Sequence, residues 1–361
     1  MKKVLALLVA MILCVSLFAS CGEKISTPDD KELNNTVVLK IEDVKITQAY
    51  YNFIHSIIYS QMAQYEQYYG EDWLNMEIES GKTVENYIDE SAKSQAEQFA
   101  AAIILGEEYG ITVDSKIKEN VETQKKDVIE SYGGEEGYIQ FLEESHTTDE
   151  AITTYLETYE VLTALLEKIT KKGEEGYIED SEIEKMFLEE YKDKLRVQHV
   201  LISTKADEQT GAPAKTDEEA LKIANEVIAK LDKGEKFDSL ISDYGEDPGM
   251  SAGQFYTFGT GEMVEEFEKA SRELKVGEYT KKPVKSDYGY HVIKRYTIDK
   301  EIPEYADFKL MKSQEKLTDI LVKKAEKLDK KWEDKKIDAY MKEWKKEREE
   351  AKKQAKEESA E

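Results

Sequence analysis

Apolar and polar positions alternate most clearly at two places in this 361-residue chain, Arg196-Val197-Gln198-His199-Val200-Leu201-Ile202 and Tyr288-Gly289-Tyr290-His291-Val292-Ile293. A period of two predicts half-buried strands. Elsewhere the dominant period is helical. The alternation in Val37-Val38-Leu39-Lys40-Ile41 and Val44-Lys45-Ile46 predicts a short strand or hairpin, and Thr47 is placed to cap the helix that follows. From 48 to about 172 the pattern stays helical, with breaks at Gly70, Gly81, Gly110 and Gly133-Gly134. Tyr50, Tyr51, Phe53, Ile54, Ile57, Ile58, Tyr65 and Tyr69 recur at spacings of three, four and seven, which gives these helices a wide apolar face. Most of that face is predicted to be core.

Gly173 and Gly176 close the helical stretch. Ser181-Glu182-Ile183-Glu184 reads as a capping box for a helix running through Tyr191. Further helices are predicted from the Thr216 cap to Leu231, over 237–244 and over 262–274, the last with Met263 and Phe267 four apart on one face. The polar stretch 205–215, with Gly211 and Pro213, reads as an exposed loop. Beyond Pro303 a stripe at helical spacing runs through Leu310, Leu317, Ile320, Leu321, Ala325, Leu328 and Trp332, then through Ile337, Tyr340, Met341 and Trp344. The charge-laced tail 345–361 reads as a solvated, fraying helix.

Lys2 and Lys3 precede an unbroken apolar run over 4–17 and then small residues leading to Cys21, the pattern of a secretion signal. The run is shorter than the roughly twenty apolar residues a membrane span requires. With Cys14 inside the signal, no thiol other than Cys21 remains for disulfides, metal binding or nucleophilic catalysis. Net charge is −26, and it is uneven: 36–190 holds 35 acidic and 12 basic residues, whereas 309–361 holds 14 acidic and 17 basic. A negative field of this size disfavours nucleic acid as a partner.

The chain has only four histidines, and two sit on the predicted strands, where a rigid sheet would hold each imidazole in place. Between them lie a carboxylate on a tight turn, Glu246-Asp247-Pro248-Gly249, and the apolar set Phe255, Phe258, Met263 and Phe267. With Gly277-Glu278-Tyr279 and Gly289-Tyr290-His291, this constellation resembles the parvulin type of peptidyl-prolyl isomerase. Phe18-Ala19-Ser20-Cys21-Gly22 resembles a bacterial lipobox. A strand followed by long helices resembles the N-terminal region of PrsA and SurA foldases. The fold class implied is α+β, a four-stranded antiparallel sheet with flanking helices inserted in or appended to a mainly helical domain. The implied divisions are a signal over 1–20, a lipidated linker over 21–35, a helical chaperone-like domain over 36–190, a parvulin-type domain over 195–297, and a helical segment over 303–361 that packs back on the first domain.

The resemblance implies that His199, Asp247, His291 and Ser286 form the catalytic network, that Phe255, Met263, Phe267, Phe258 and Tyr288 contact substrate, and that Cys21 carries lipid. It implies no cofactor and no metal. The reaction is rotation about an X-Pro bond, whose barrier of about 18–20 kcal/mol makes exchange slow enough to limit folding. Such catalysis needs a pocket for the proline ring and a suitable field, with no covalent step. The partners implied are unfolded exported polypeptides and, through the anchor, the outer surface of a bacterial membrane; a dimer stays open. Two other readings remain. One is a holdase whose module binds peptide without turnover, suggested by Gln254, Tyr256 and Tyr288; the other is a solute-binding lipoprotein, which the long helical region disfavours.

Overall fold

A computed structural model describes residues 31–70, 72–79, 81–206 and 214–358. The secretion signal, the lipobox with Cys21 and most of the predicted loop over 205–215 lie outside the described residues. The chain divides into two compact units: residues up to Ile178 together with those from Met311 onward, and the continuous stretch Glu179–Leu310. The second is inserted into the first in sequence, a common way for one domain to interrupt another.

The first unit is mainly helical. Its long helices start where hydroxyl or carboxylate side chains accept the orphan amides of the first turn: Thr47 before Gln48–Ala63, Thr83 before Val84–Glu108, Asp114 before Ser115–Ser131 and Thr148 before Asp149–Ile169. Their apolar faces meet in one core, in which Phe53 and Phe99 pack edge-on against Tyr155 at ring separations of 4.9 and 5.3 Å. The predicted hairpin forms, with Val37–Ile41 paired to Val44–Thr47. It gains a third strand that the pattern did not predict: Lys330–Trp332 pairs antiparallel with Val37–Ile41. Three residues are too few to show a period, and Trp332 therefore sits in a strand, not in the predicted helical stripe. Leu317, Leu321, Ala325, Ile337, Tyr340, Met341 and Trp344 of that stripe are buried in the same core. A small hairpin, Glu77–Glu79 with Lys82–Thr83, stands where the periodicity predicted only a break.

The second unit is built on a four-stranded antiparallel sheet in the order Tyr256–Phe258, Leu195–Ser203, Gly289–Tyr296, Val284–Ser286. The two predicted histidine strands are its centre. They are buried on both faces, not one, because apolar side chains pack against each side: Val200, Ile202, Tyr290 and Val292 with helices Asp217–Asp232 and Phe237–Tyr244, and Leu195, Val197 and Ile293 with Phe258 and Phe267. The cap predicted at Thr216 is present, as a full capping box in which its hydroxyl and the Glu219 carboxylate exchange hydrogen bonds with each other's backbone. The one predicted at Ser181 is not; that helix is Asp180–Glu190, so Ser181 lies inside its first turn. The last predicted helix starts three residues late, at Glu265. The Gly259 and Gly261 amides donate to the Glu262 and Glu268 carboxylates, at 2.8 and 2.7 Å, and hold the preceding segment as a loop.

Candidate active site

Side chains on a strand alternate between faces, and the register sets which ones meet. His291 stands directly opposite Leu201, and His199 opposite Ile293. His199 and Leu201 point the same way, so the two imidazoles are diagonal neighbours on one face, with ring centroids 5.3 Å apart. Ser286 reaches the same face through its own pairing, in which it opposes Gly289 while Val284 opposes His291. Gly289 is required there: its φ is 141°, and a Cβ would collide with the Ile202 carbonyl. The carboxylate arrives from a turn fixed to the sheet edge, where the Glu246 amide donates to the Leu201 carbonyl at 3.0 Å and the Ser203 amide to the Glu246 carboxylate at 2.7 Å.

These elements produce a continuous hydrogen-bonded chain. Ser286 Oγ lies 2.7 Å from His291 Nε2, His291 Nδ1 3.2 Å from His199 Nδ1, and His199 Nε2 2.7 Å from Asp247 Oδ2. Asp247 also accepts from the Tyr256 hydroxyl at 2.9 Å and from the Gly249 amide at 2.9 Å. The His199 hydrogen bond, reinforced by Gly249 and Tyr256, outweighs burial and holds the carboxyl at about 2. Burial and the neighbouring carboxylate push the Tyr256 phenol up to about 12, so it stays a donor. Burial, and the positive charge His199 can carry, press His291 down to about 3. An ionised carboxylate only accepts, so His199 Nε2 carries the proton in its hydrogen bond to Asp247. This assignment follows from the network, as ring protons must.

Phe267 forms the apolar wall of this chain. It is buried, and its ring stands edge-on to His199 at 5.1 Å and to His291 at 5.2 Å. Phe258 packs behind it at 5.9 Å. Met263 joins the same cluster while bordering an open groove lined also by Thr260, Gly261, Glu265, Glu268 and Arg272. It precedes the helix, so Met263 and Phe267 do not form the predicted i, i+4 pair. Phe255 requires a larger correction, since the register places it on the opposite face, against Arg196 at 4.1 Å and Tyr296 at 4.9 Å. The alternation is the reason: Tyr256 opposes Val197 and shares the histidine face, so its neighbour cannot. Tyr288 lies on the turn of the last hairpin with its ring more than half exposed, and its amide donates to Ser286 Oγ at 3.2 Å.

The residue that sequence reasoning missed is therefore Tyr256. Counting by two back from Phe258 would have found it. Beneath it, on the other face, Asp238 accepts from Gln198 at 2.7 Å and from the Gly253 amide at 3.0 Å, while Gln198 also donates to the Gln254 carbonyl at 3.1 Å. Those bonds hold Asp238 below the usual carboxylate range and tie the 247–255 loop to the sheet. Among the described residues no group of three or more His, Cys, Asp or Glu is placed to hold a metal ion, and no helix is long and apolar enough to cross a membrane.

Residues 181–297 match the family model described as a PPIC-type PPIASE domain, and the chain thus carries a parvulin-type domain. Foldase protein PrsA of Geobacillus kaustophilus is 45% identical over 119 residues, which is 32% of this chain and 36% of that protein. Foldase protein PrsA of Caldanaerobacter subterraneus is 29% identical over 299 residues, covering 81% of this chain and 82% of its own length. The chain is thus similar to PrsA foldases, and the match at higher identity spans only about a third of either protein. The crystal structure of PrsA from Bacillus subtilis aligns with 81% of this chain and 91% of its own, at 23% identity and a TM-score of 0.28, and adds nothing to the sequence matches.

Proposed function

We propose that the protein is an extracytoplasmic peptidyl-prolyl isomerase and foldase that acts on unfolded exported polypeptides. The observation that carries this reading is the carboxylate of Asp247, held by three donors, one of them His199, whose ring stands edge-on to the buried Phe267. A carboxyl near 2 is a poor base at neutral pH, so Asp247 works as a fixed charge. Placed near the carbonyl oxygen of an X-Pro bond, it disfavours the planar resonance form, in which that oxygen is negative, and penalises the twisted amide less. Each 1.36 kcal/mol of such discrimination is worth tenfold in rate. The proline ring is received by the apolar cluster around Met263, Phe267 and Phe258. His199, His291 and Ser286 orient the carboxylate and do not exchange bonds with substrate.

Membrane attachment through lipid on Cys21 belongs to the same proposal, supported by the lipobox-like string and the absence of another thiol in the mature chain. Two acyl chains anchor stably where one would be marginal. The holdase alternative leaned partly on Tyr256 as an obstacle, yet Tyr256 donates to Asp247. A protease-coupled assay of the full chain on a series of proline tetrapeptides tests the proposal. Turnover that collapses in Asp247→Ala and Met263→Ala supports it, and a wild-type chain that suppresses client aggregation without turnover would replace it with the holdase.

A further inference from the structure

Exposed apolar surface on the helical unit is concentrated in one short stretch. Of the twelve large apolar side chains that stand exposed among the described residues, four lie between Tyr65 and Ile78: those two, Tyr68 and Tyr69. Tyr68 is 76% exposed and Tyr69 57%. The stretch is nevertheless well anchored. Trp73 is fully buried against Tyr59 at 5.5 Å, its amide donates to the Gly70 carbonyl at 3.2 Å, and the Val84 amide donates to the Met76 carbonyl at 2.9 Å. Tyr65 and Tyr69 stack on each other at 6.1 Å. Surface already held in shape loses little freedom on binding, and tyrosine offers a large contact at low entropic cost.

Charge identifies what would bind. Within 65–82 the sequence holds five acidic residues, Glu66, Glu71, Asp72, Glu77 and Glu79, against the single base Lys82. Lys82 is already paired with Glu90 at 2.7 Å. Phenol faces attract cations through the ring quadrupole, and the surrounding field has the same sense.

We propose that this tyrosine patch is a docking surface for basic, unfolded polypeptide segments, engaged without regard to proline. It specifies the client chemistry of the foldase reading and rests on that reading for its context. Lysine and arginine side chains of the client lie over Tyr68 and Tyr69, with Glu77 and Glu79 supplying opposite charge nearby.

Fluorescence anisotropy on the full chain tests this with two labelled, proline-free peptides, one rich in lysine and arginine and one with those residues replaced by glutamate. The basic peptide is expected to bind, with salt weakening it, and Tyr68→Ala/Tyr69→Ala to lower its affinity about tenfold. The charge variant Glu77→Gln/Glu79→Gln, which disturbs no ring, should lower it less, and both variants should retain wild-type turnover on a proline tetrapeptide. Failure of the wild type to bind the basic peptide, equal binding of the acidic one, or wild-type affinity in both variants overturns the proposal, whatever the turnover. Absent turnover with affinity still lost in the variants would sink the isomerase reading and leave the docking surface standing.

Discussion

Each unit buries a histidine beside an aspartate and an aromatic ring, and the two histidines are connected differently. In the sheet unit both nitrogens of His199 are engaged, one with Asp247 at 2.7 Å and one with His291 at 3.2 Å. In the helical unit His55 Nε2 lies 3.3 Å from Asp89, its Nδ1 has no hydrogen-bond partner among the described residues, and its ring stands edge-on to Trp344 at 5.0 Å. Burial and a nearby carboxylate are thus common to both. What separates a site from a packed histidine is that the first is one link in a chain whose every member has an assigned partner.

Removing the carboxylates should show the largest contrast. Asp247→Ala is expected to lower isomerase turnover on the order of a hundredfold, the usual scale for losing a preorganised electrostatic group, whereas Asp89→Ala leaves it unchanged. Comparable losses from both would erase the distinction between the two sites.

Replacing the imidazoles reads the same contrast in stability. His199→Phe leaves the half-buried Asp247 carboxylate and the buried His291 each short of a partner, at a cost of roughly 3 kcal/mol in urea unfolding followed by circular dichroism. His55→Phe, which breaks no chain, should stay within about 1 kcal/mol. The reverse order would mean that His55 carries the network role.

Acid sharpens the comparison further. His291 sits near 3 in the fold and near 6.5 when unfolded, so below about 6.5 the unfolded chain takes up a proton that the folded one refuses. Stability is complete above that pH and falls as pH drops toward 3, by about 2 kcal/mol between pH 7 and pH 5. The Asp247 contribution is complete above its unfolded value of 3.8 and is lost only as pH falls from there to about 2. Urea unfolding followed through the chemical shifts of the sheet unit should show the loss between pH 7 and pH 5, and His291→Phe should abolish it.

The smallest effect is expected for Tyr256→Phe. One of three donors is lost, which costs about 1 kcal/mol and lets the Asp247 carboxyl rise from about 2, as a carboxyl NMR titration would show. An unmoved carboxyl would mean that the phenol contributes nothing to its charge state.

The parts of this arrangement that were legible from sequence are those carried by a repeating pattern. The two histidine strands, the Thr47 and Thr216 caps and the helix Phe237–Tyr244 follow from period and capping chemistry, which are local. Segments of three residues were not legible. Lys330–Trp332 is a strand only because Val37–Ile41 offers it an open edge, and Tyr256–Phe258 only because Leu195–Val197 does. The misplacement of Phe255 has the same origin: without the register of that edge strand its face could not be assigned. The late start of Glu265–Glu273 depends on carboxylates reaching back to two glycine amides, a contact no period encodes.

The three-stranded sheet of the helical unit joins residues near the start of that unit to residues beyond the insertion. A chain emerging N-terminus first would complete the continuous stretch Glu179–Leu310 before Lys330–Trp332 is available. The sheet unit can then mature early, while the helical unit must hold its first strand in waiting and close a loop of well over a hundred residues, an entropic toll that grows only slowly with length.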